Sequence, residues 1–191
     1  MTDRPITPWL FRLQLEHTPS PNDPIGAWEL YQALGTLVVA WGRLETHFLA
    51  CVMAILATDA TRGLSRKMPM AWDQRARIWK DAFRISPALK VHEYAALDLL
   101  ARIQQVSDDR NLFIHGLWER FNHGLPLSAG LVMMRYKKGT RNEITHSRHV
   151  VTVDDVWGVA QRADQLNIEL IGVSKMLAAE RGQLPPEIYT P

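Results

Sequence analysis

Between Leu30 and Ile55 the large apolar residues fall at steps of four and three: Leu30, Leu34, Leu37, Trp41, Leu44, Phe48, Val52 and Ile55. That spacing is one face of a long α-helix. A helix carrying such a stripe needs other elements to bury it, so the chain is committed to packing helices against helices. The helix is expected from Ile25 to about Thr58, in spite of Gly35 and Gly42. Each glycine costs about 1 kcal/mol against alanine inside a helix. Close approach of another helix is the expected reason for keeping both.

The partners follow in order. TDATRGLSRKMPM reads as a loop, and Trp72, Ala76, Trp79 and Phe83 mark a second helix over 71–85. Pro87 starts or breaks a helix, and a third is expected from near Ala88, with Leu99, Ile103, Val106, Arg110, Phe113 and Leu117 on one stripe. After Asn122 the period changes. GLVMMRYKK and ITHSRHVVTV are short alternating or β-branched runs separated by GTRN, which predicts a β-hairpin at about 129–151. Thr152 followed by Asp155 resembles an N-cap with its acid at the third helical position. The last helix is expected from Val153 to about Arg181, with Val156, Ala160, Ala163, Leu166, Leu170, Val173 and Leu177 inward, ending at Gly182. The sequence therefore predicts a mainly α protein. An extended, proline-broken arm occupies 1–24, a four-helix-bundle-like domain 25–182 with the hairpin inserted before its last helix, and a tail 183–191.

Several functions fall away on composition and motif. The N-terminus has no continuous apolar region of the signal-peptide kind, and Arg43, Glu45 and His47 interrupt the most apolar stretch, Leu34 to Ala57. No membrane association is expected, and the protein is placed in the cytoplasm. A lone cysteine, Cys51, rules out an internal disulfide, fits a reducing compartment, and among apolar neighbours reads as a buried thiol. The net charge of +2 is small, but Arg135, Lys137, Lys138, Arg141 and Arg148 oppose a single Glu143, so the hairpin carries +4 and the remainder −2. Those five cations form a candidate surface for tracking an RNA backbone, or simply a solvated ribbon whose charges discourage edge pairing. No metal is expected, since the histidines are scattered and no metal-ligand motif occurs; nor is a cofactor, since phosphate and dinucleotide loops are missing.

One stretch, SDDRNLFIHGLW at 107–118, puts polar residues where the third helix should be apolar. Asn111 and His115 lie four apart and share a face, with Asp108 a turn before and Trp118 a turn after. Arg110 points about 100° from Asn111, yet its side chain is long enough to curl back beside His115. Histidine can move a proton near neutral pH, and arginine can hold phosphate oxygens through paired N–H bonds. Together they suit a phosphodiester. The competing reading is structural: Arg110 as a core arginine paired with an acid, for which Glu45 on the first helix is a natural partner. Asp108 reads as a cap or a solvated acid able to fix the tautomer of His115, Asp109 as solvated, and Trp118 and Phe121 as core or interface residues that could also stack bases.

The run Arg110-Asn111-Leu112-Phe113-Ile114-His115 resembles the R-x4-6-H motif of the HEPN superfamily, in which a polar residue, often asparagine, follows the arginine. The helical layout and the His115-Gly116 pair extend the likeness. The resemblance implies a helical homodimer with facing motifs and metal-independent ribonuclease chemistry, in which the 2′-hydroxyl of the substrate attacks the adjacent phosphate. It assigns proton transfer to His115, the phosphate clamp to Arg110 and an orienting role to Asn111; apart from the resemblance, Asp108, Glu45 and Trp118 stand as candidate supporting residues. RNA is the implied substrate, and a toxin or defence role with an antitoxin partner is the implied setting. Some members of the superfamily have lost catalysis, so a silent module binding nucleotide, RNA or protein is the alternative. Leu117 stands where toxins paired with nucleotidyltransferases often carry a tyrosine, so control by modifying that residue is not expected.

Overall fold

The computed structural model describes residues 27–65, 67–118, 131–138 and 144–180. The arm over 1–24 and the tail over 183–191 lie outside them. The protein is mainly helical. Helix α1 (Ala27–Leu56) is followed by a 3₁₀ turn (Arg62–Leu64), α2 (Trp72–Ile85), a single turn α3 (Pro87–Lys90) and α4 (Glu93–His115). Strands β1 (Leu117–Trp118), β2 (Leu131–Lys138) and β3 (Ile144–Val151) come next, and α5 (Val153–Glu180) ends the described chain.

The helices form a bundle around the stripe of α1. Leu30, Leu37, Trp41, Leu44, Phe48, Val52 and Ile55 are buried, with Leu34 at the margin. They meet Ile78, Trp79 and Phe83 of α2, Leu99, Ile103 and Val106 of α4, and Val156, Ala163, Leu166 and Leu170 of α5. An aromatic seam joins α1 to α2: Trp41 packs on Trp72 with centroids 5.8 Å apart, and Phe48 on Trp79 at 5.2 Å. These pairs step forward along both helices, so α1 and α2 run the same way. So do α1 and α5, because His47 Nδ1 lies 2.5 Å from Asn167 Oδ1 and, a turn later, Cys51 Sγ meets the Leu170 carbonyl at 3.6 Å. Helix α4 runs against them. Arg102 forks onto Glu169 at 2.8 and 2.6 Å, and seven residues further along α4 Asp109 takes Arg162 of α5, seven residues earlier, at 2.7 Å.

Three expectations about the helices change: Leu117 and Trp118, expected to continue the third helix, form β1 after α4 ends at His115. The third helix does not begin at Ala88; α3 ends at Lys90, and His92, at φ −100° and ψ 4°, separates it from α4. Glu93 then opens α4 and is held by Lys90 Nζ at 2.6 Å and Arg84 Nε at 3.4 Å, an acid at a helix N-terminus pinned by cations from the preceding turns. Gly35 and Gly42 do not mark a close helix contact either. Both are exposed, and a Cβ added at either would meet nothing within 4 Å. By length and composition α1 would also suffice to cross a membrane over Trp28–Leu56, and it supplies the residues that form the centre of the core.

The three strands pair antiparallel in the order β1-β2-β3, with Leu117 opposite Met134 and Leu131 to Lys138 opposite Val151 to Ile144. Thr152 then starts α5 through a reciprocal cap. Its backbone N–H and hydroxyl both donate to Asp155 Oδ2, at 2.7 and 2.8 Å, while the Asp155 N–H donates back to Thr152 Oγ1 at 3.2 Å. Those bonds hold the Asp155 carboxyl below the usual aspartate range, the backbone N–H contributing most.

Candidate functional site

The polar stretch closes α4. Val106 and Phe113 anchor its inner face, and the Gly116 N–H caps the last turn on the Leu112 carbonyl at 2.8 Å. Between them Arg110 and Asn111 are half-buried, and His115 is exposed as the final helical residue. Arg110 and His115 lie about 140° apart around the helix axis, so backbone geometry alone does not bring them together. The side chain does. Arg110 Nη1 donates to Asn111 Oδ1 at 2.9 Å and reaches His115 Nε2 at 3.2 Å.

The chemistry of that contact follows from the donor inventory. A guanidinium has N–H donors and no acceptor, so a hydrogen bond to His115 requires the lone pair on Nε2. The bond therefore belongs to the neutral ring carrying its proton on Nδ1. Asn111, turned with its amide oxygen to Arg110, holds the guanidinium in place. Among the described residues no carboxylate meets Arg110, and its Nε is buried without any hydrogen-bond partner. A cation held by two neutral acceptors keeps its charge available to an incoming anion.

The expected partner of Arg110 is engaged elsewhere. Glu45 accepts from Arg75 Nη1 at 3.0 Å, and Arg75 also donates to the carbonyls of Pro69 (3.0 Å) and Met70 (2.7 Å). The guanidinium of Arg75 thus ties the loop before α2 to α1, and Glu45 is bonded to Arg75 rather than to Arg110. The sequence reading missed Arg75; its signal was a cation one turn after Trp72, on the helix that packs beside Glu45. Asp108 is exposed and faces Gln104 Nε2 at 3.4 Å rather than His115. Asp109, expected to be solvated, accepts from Gln105 at 3.0 Å and pairs with Arg162, so it joins α4 to α5 just before Arg110.

Trp118 lies in β1, two residues past the helix cap, and Arg135, Lys137, Lys138 and Arg148 lie in β2 and β3. Of these residues only the backbone is described, and Arg141 and Phe121 lie outside the described residues. The register still places the basic strand. With Leu117 opposite Met134, Arg135 to Lys138 run on past the start of β1, on the side from which α4 enters. Helix α4 also touches β2. Cations on a strand and the Arg110–His115 pair therefore share one end of the bundle.

Two other groups with possible chemistry are quiet. Burial pushes the Cys51 thiol up to about 12, so it is not a nucleophile. Among the described residues no three His, Cys, Asp or Glu side chains are grouped to hold a metal ion. No known family, curated protein or solved structure matches the chain.

Proposed function

We propose that the protein is a HEPN-like endoribonuclease, a four-helix arrangement whose two copies face each other across the Arg110–His115 ends, working in the cytoplasm in a toxin or defence role. The observation that carries this reading is the 3.2 Å contact between Arg110 Nη1 and His115 Nε2 with no carboxylate at the arginine among the described residues. A proton acceptor and an uncompensated cation then lie within the span of one phosphodiester.

In the proposed reaction His115 Nε2 takes the proton of the 2′-hydroxyl as that oxygen bonds to phosphorus. Arg110 binds the non-bridging oxygens, where negative charge builds. The P–O5′ bond breaks, and the leaving oxygen takes up the proton that His115 accepted from the 2′-hydroxyl, which returns the ring to its neutral form. The products are a 2′,3′-cyclic phosphate and a 5′-hydroxyl end. Asn111 orients the guanidinium, and the cations of β2 and β3 hold the strand leading away from the cut.

Purified protein incubated with mixed cellular RNA in chelator should produce fragments with cyclic phosphate ends. Arg110→Ala and His115→Ala should abolish them without changing helical content. RNA left whole with and without divalent metal removes the enzyme and leaves a module that binds RNA, nucleotide or protein through the same residues.

A further inference from the structure

The same contact that carries the nuclease reading also obstructs it. Nε2 of His115 is the ring atom with the free lone pair, and a hydrogen of Arg110 occupies it. While that bond lasts, the imidazole has no vacant acceptor with which to take a proton from a substrate. The arrangement is also poorly satisfied from the side of the arginine. Both N–H groups of Nη1 go to neutral acceptors, and Nε is buried with no acceptor. A guanidinium keeps its charge at any working pH, and hydrogen bonds from it to an ionised oxygen are roughly twice as strong as to neutral partners.

We propose that Arg110 masks His115 until an anionic phosphoryl oxygen draws the guanidinium away, so that binding the substrate and exposing the base are one event. This rests on the nuclease reading for the identity of the ligand, a phosphodiester. The exchange itself needs only an anion. When Arg110 turns to the phosphate, it gives up His115 Nε2 while Asn111 Oδ1 remains its pivot, and its buried Nε–H is released to bond. A free imidazole that transfers protons indiscriminately is then absent from the empty protein.

Diethyl pyrocarbonate acylates the imidazole lone pair, so its rate at His115, read by peptide mass spectrometry at one fixed pH, reports the mask. His92, at the far end of α4, serves as the internal reference. In the wild type His115 should react slowly, and Arg110→Ala should raise that rate about tenfold, as expected for loss of one charged hydrogen bond. Equal rates would overturn the proposal. Since Arg110→Ala could perturb the end of α4, the wild type carries a second arm: ring ¹⁵N signals of His115 during titration with inorganic phosphate or with a fully 2′-O-methylated RNA oligonucleotide, which cannot be cut. Both ligands should move the Nε2 signal away from its arginine-bonded position, and no movement with either overturns the mask. A response to phosphate alone keeps the mask and assigns the site to a small phosphate ligand. RNA that is cut while Nε2 never changes partner removes the mask and spares the nuclease; a mask that opens while RNA stays whole does the reverse.

Discussion

Arg75 and Arg110 are both arginines drawn into a helical bundle, and the fold treats them in opposite ways. The side chain of Arg75 is 8 % exposed, and its guanidinium meets a carboxylate and two carbonyls from the loop ahead of its own helix. That is how a buried cation is made tolerable, by pairing it and filling its donors. Among the described residues Arg110 meets no acid, and one buried donor is left unmet. Elsewhere in the bundle Arg62, Arg84, Arg102 and Arg162 each meet a carboxylate. An arginine without one, joined instead to an asparagine and a histidine, is a poor structural element and a serviceable anion site. The difference teaches that burial of an arginine says little about its role, whereas the charge of its partners says a good deal.

The comparison breaks most sharply on activity. Loss of His115 as a proton acceptor should lower RNA cleavage by about 10²-fold or more, with Arg110→Ala close behind, while Arg75→Met should leave the specific activity of whatever protein folds within about twofold. Measured initial rates showing Arg75 as costly as Arg110 would erase the distinction. Stability should rank the same residues in reverse. Arg75→Met strands the Glu45 carboxylate, itself 42 % exposed, and frees two carbonyls, at a cost of about 2 kcal/mol in denaturant unfolding. Arg110→Met removes an unmet donor along with its two bonds and should change stability by less than about 1 kcal/mol.

A double-mutant cycle sharpens the point. Glu45→Gln should couple to Arg75→Met by about 1 kcal/mol and to Arg110→Met by no more than the scatter of about 0.3–0.5 kcal/mol between independent sites. Coupling of Glu45 to Arg110 would restore the core ion pair expected from sequence.

The smallest effect concerns a carboxylate that is fully engaged. Thr152 holds Asp155 ionised to lower pH than the unfolded chain does. The stability this contributes, about 1 kcal/mol for a helix cap, is complete above the ordinary aspartate range and lost as pH falls through the depressed value. Denaturant unfolding from neutral pH into that acid range should show the loss in the wild type and less of it in Asp155→Asn.

Much of this molecule is legible from residue order. The stripe of α1, the inward faces of α2 and α5 and the Thr152–Asp155 cap follow from periods and short-range bonds that need no partner to be written down. The reading fails where a residue has several possible neighbours. Gly35 and Gly42 imply a close helix, yet both face open space, because a glycine records only that a side chain is missing and not what lies beyond it. The break after Lys90 was hidden because Leu89 and Ala96, seven apart, fit one continuous stripe, while the backbone leaves helical geometry at His92.

The amino-acid order by itself determined that helices would form, which faces they would bury, and that Arg110, Asn111 and His115 would sit together near a helix end. Those are consequences of spacing along one chain, repeated every few residues. Tertiary structure decided who holds whom. Glu45 had more than one arginine within plausible reach, and the parallel packing of α1 and α2, set by Trp41, Phe48, Trp72 and Trp79, assigned it Arg75. Ion pairing acts over a few ångströms between side chains distant in sequence, so it is resolved only once the helices have chosen their neighbours. With Glu45 taken, Arg110 was left to turn along its own helix and meet His115.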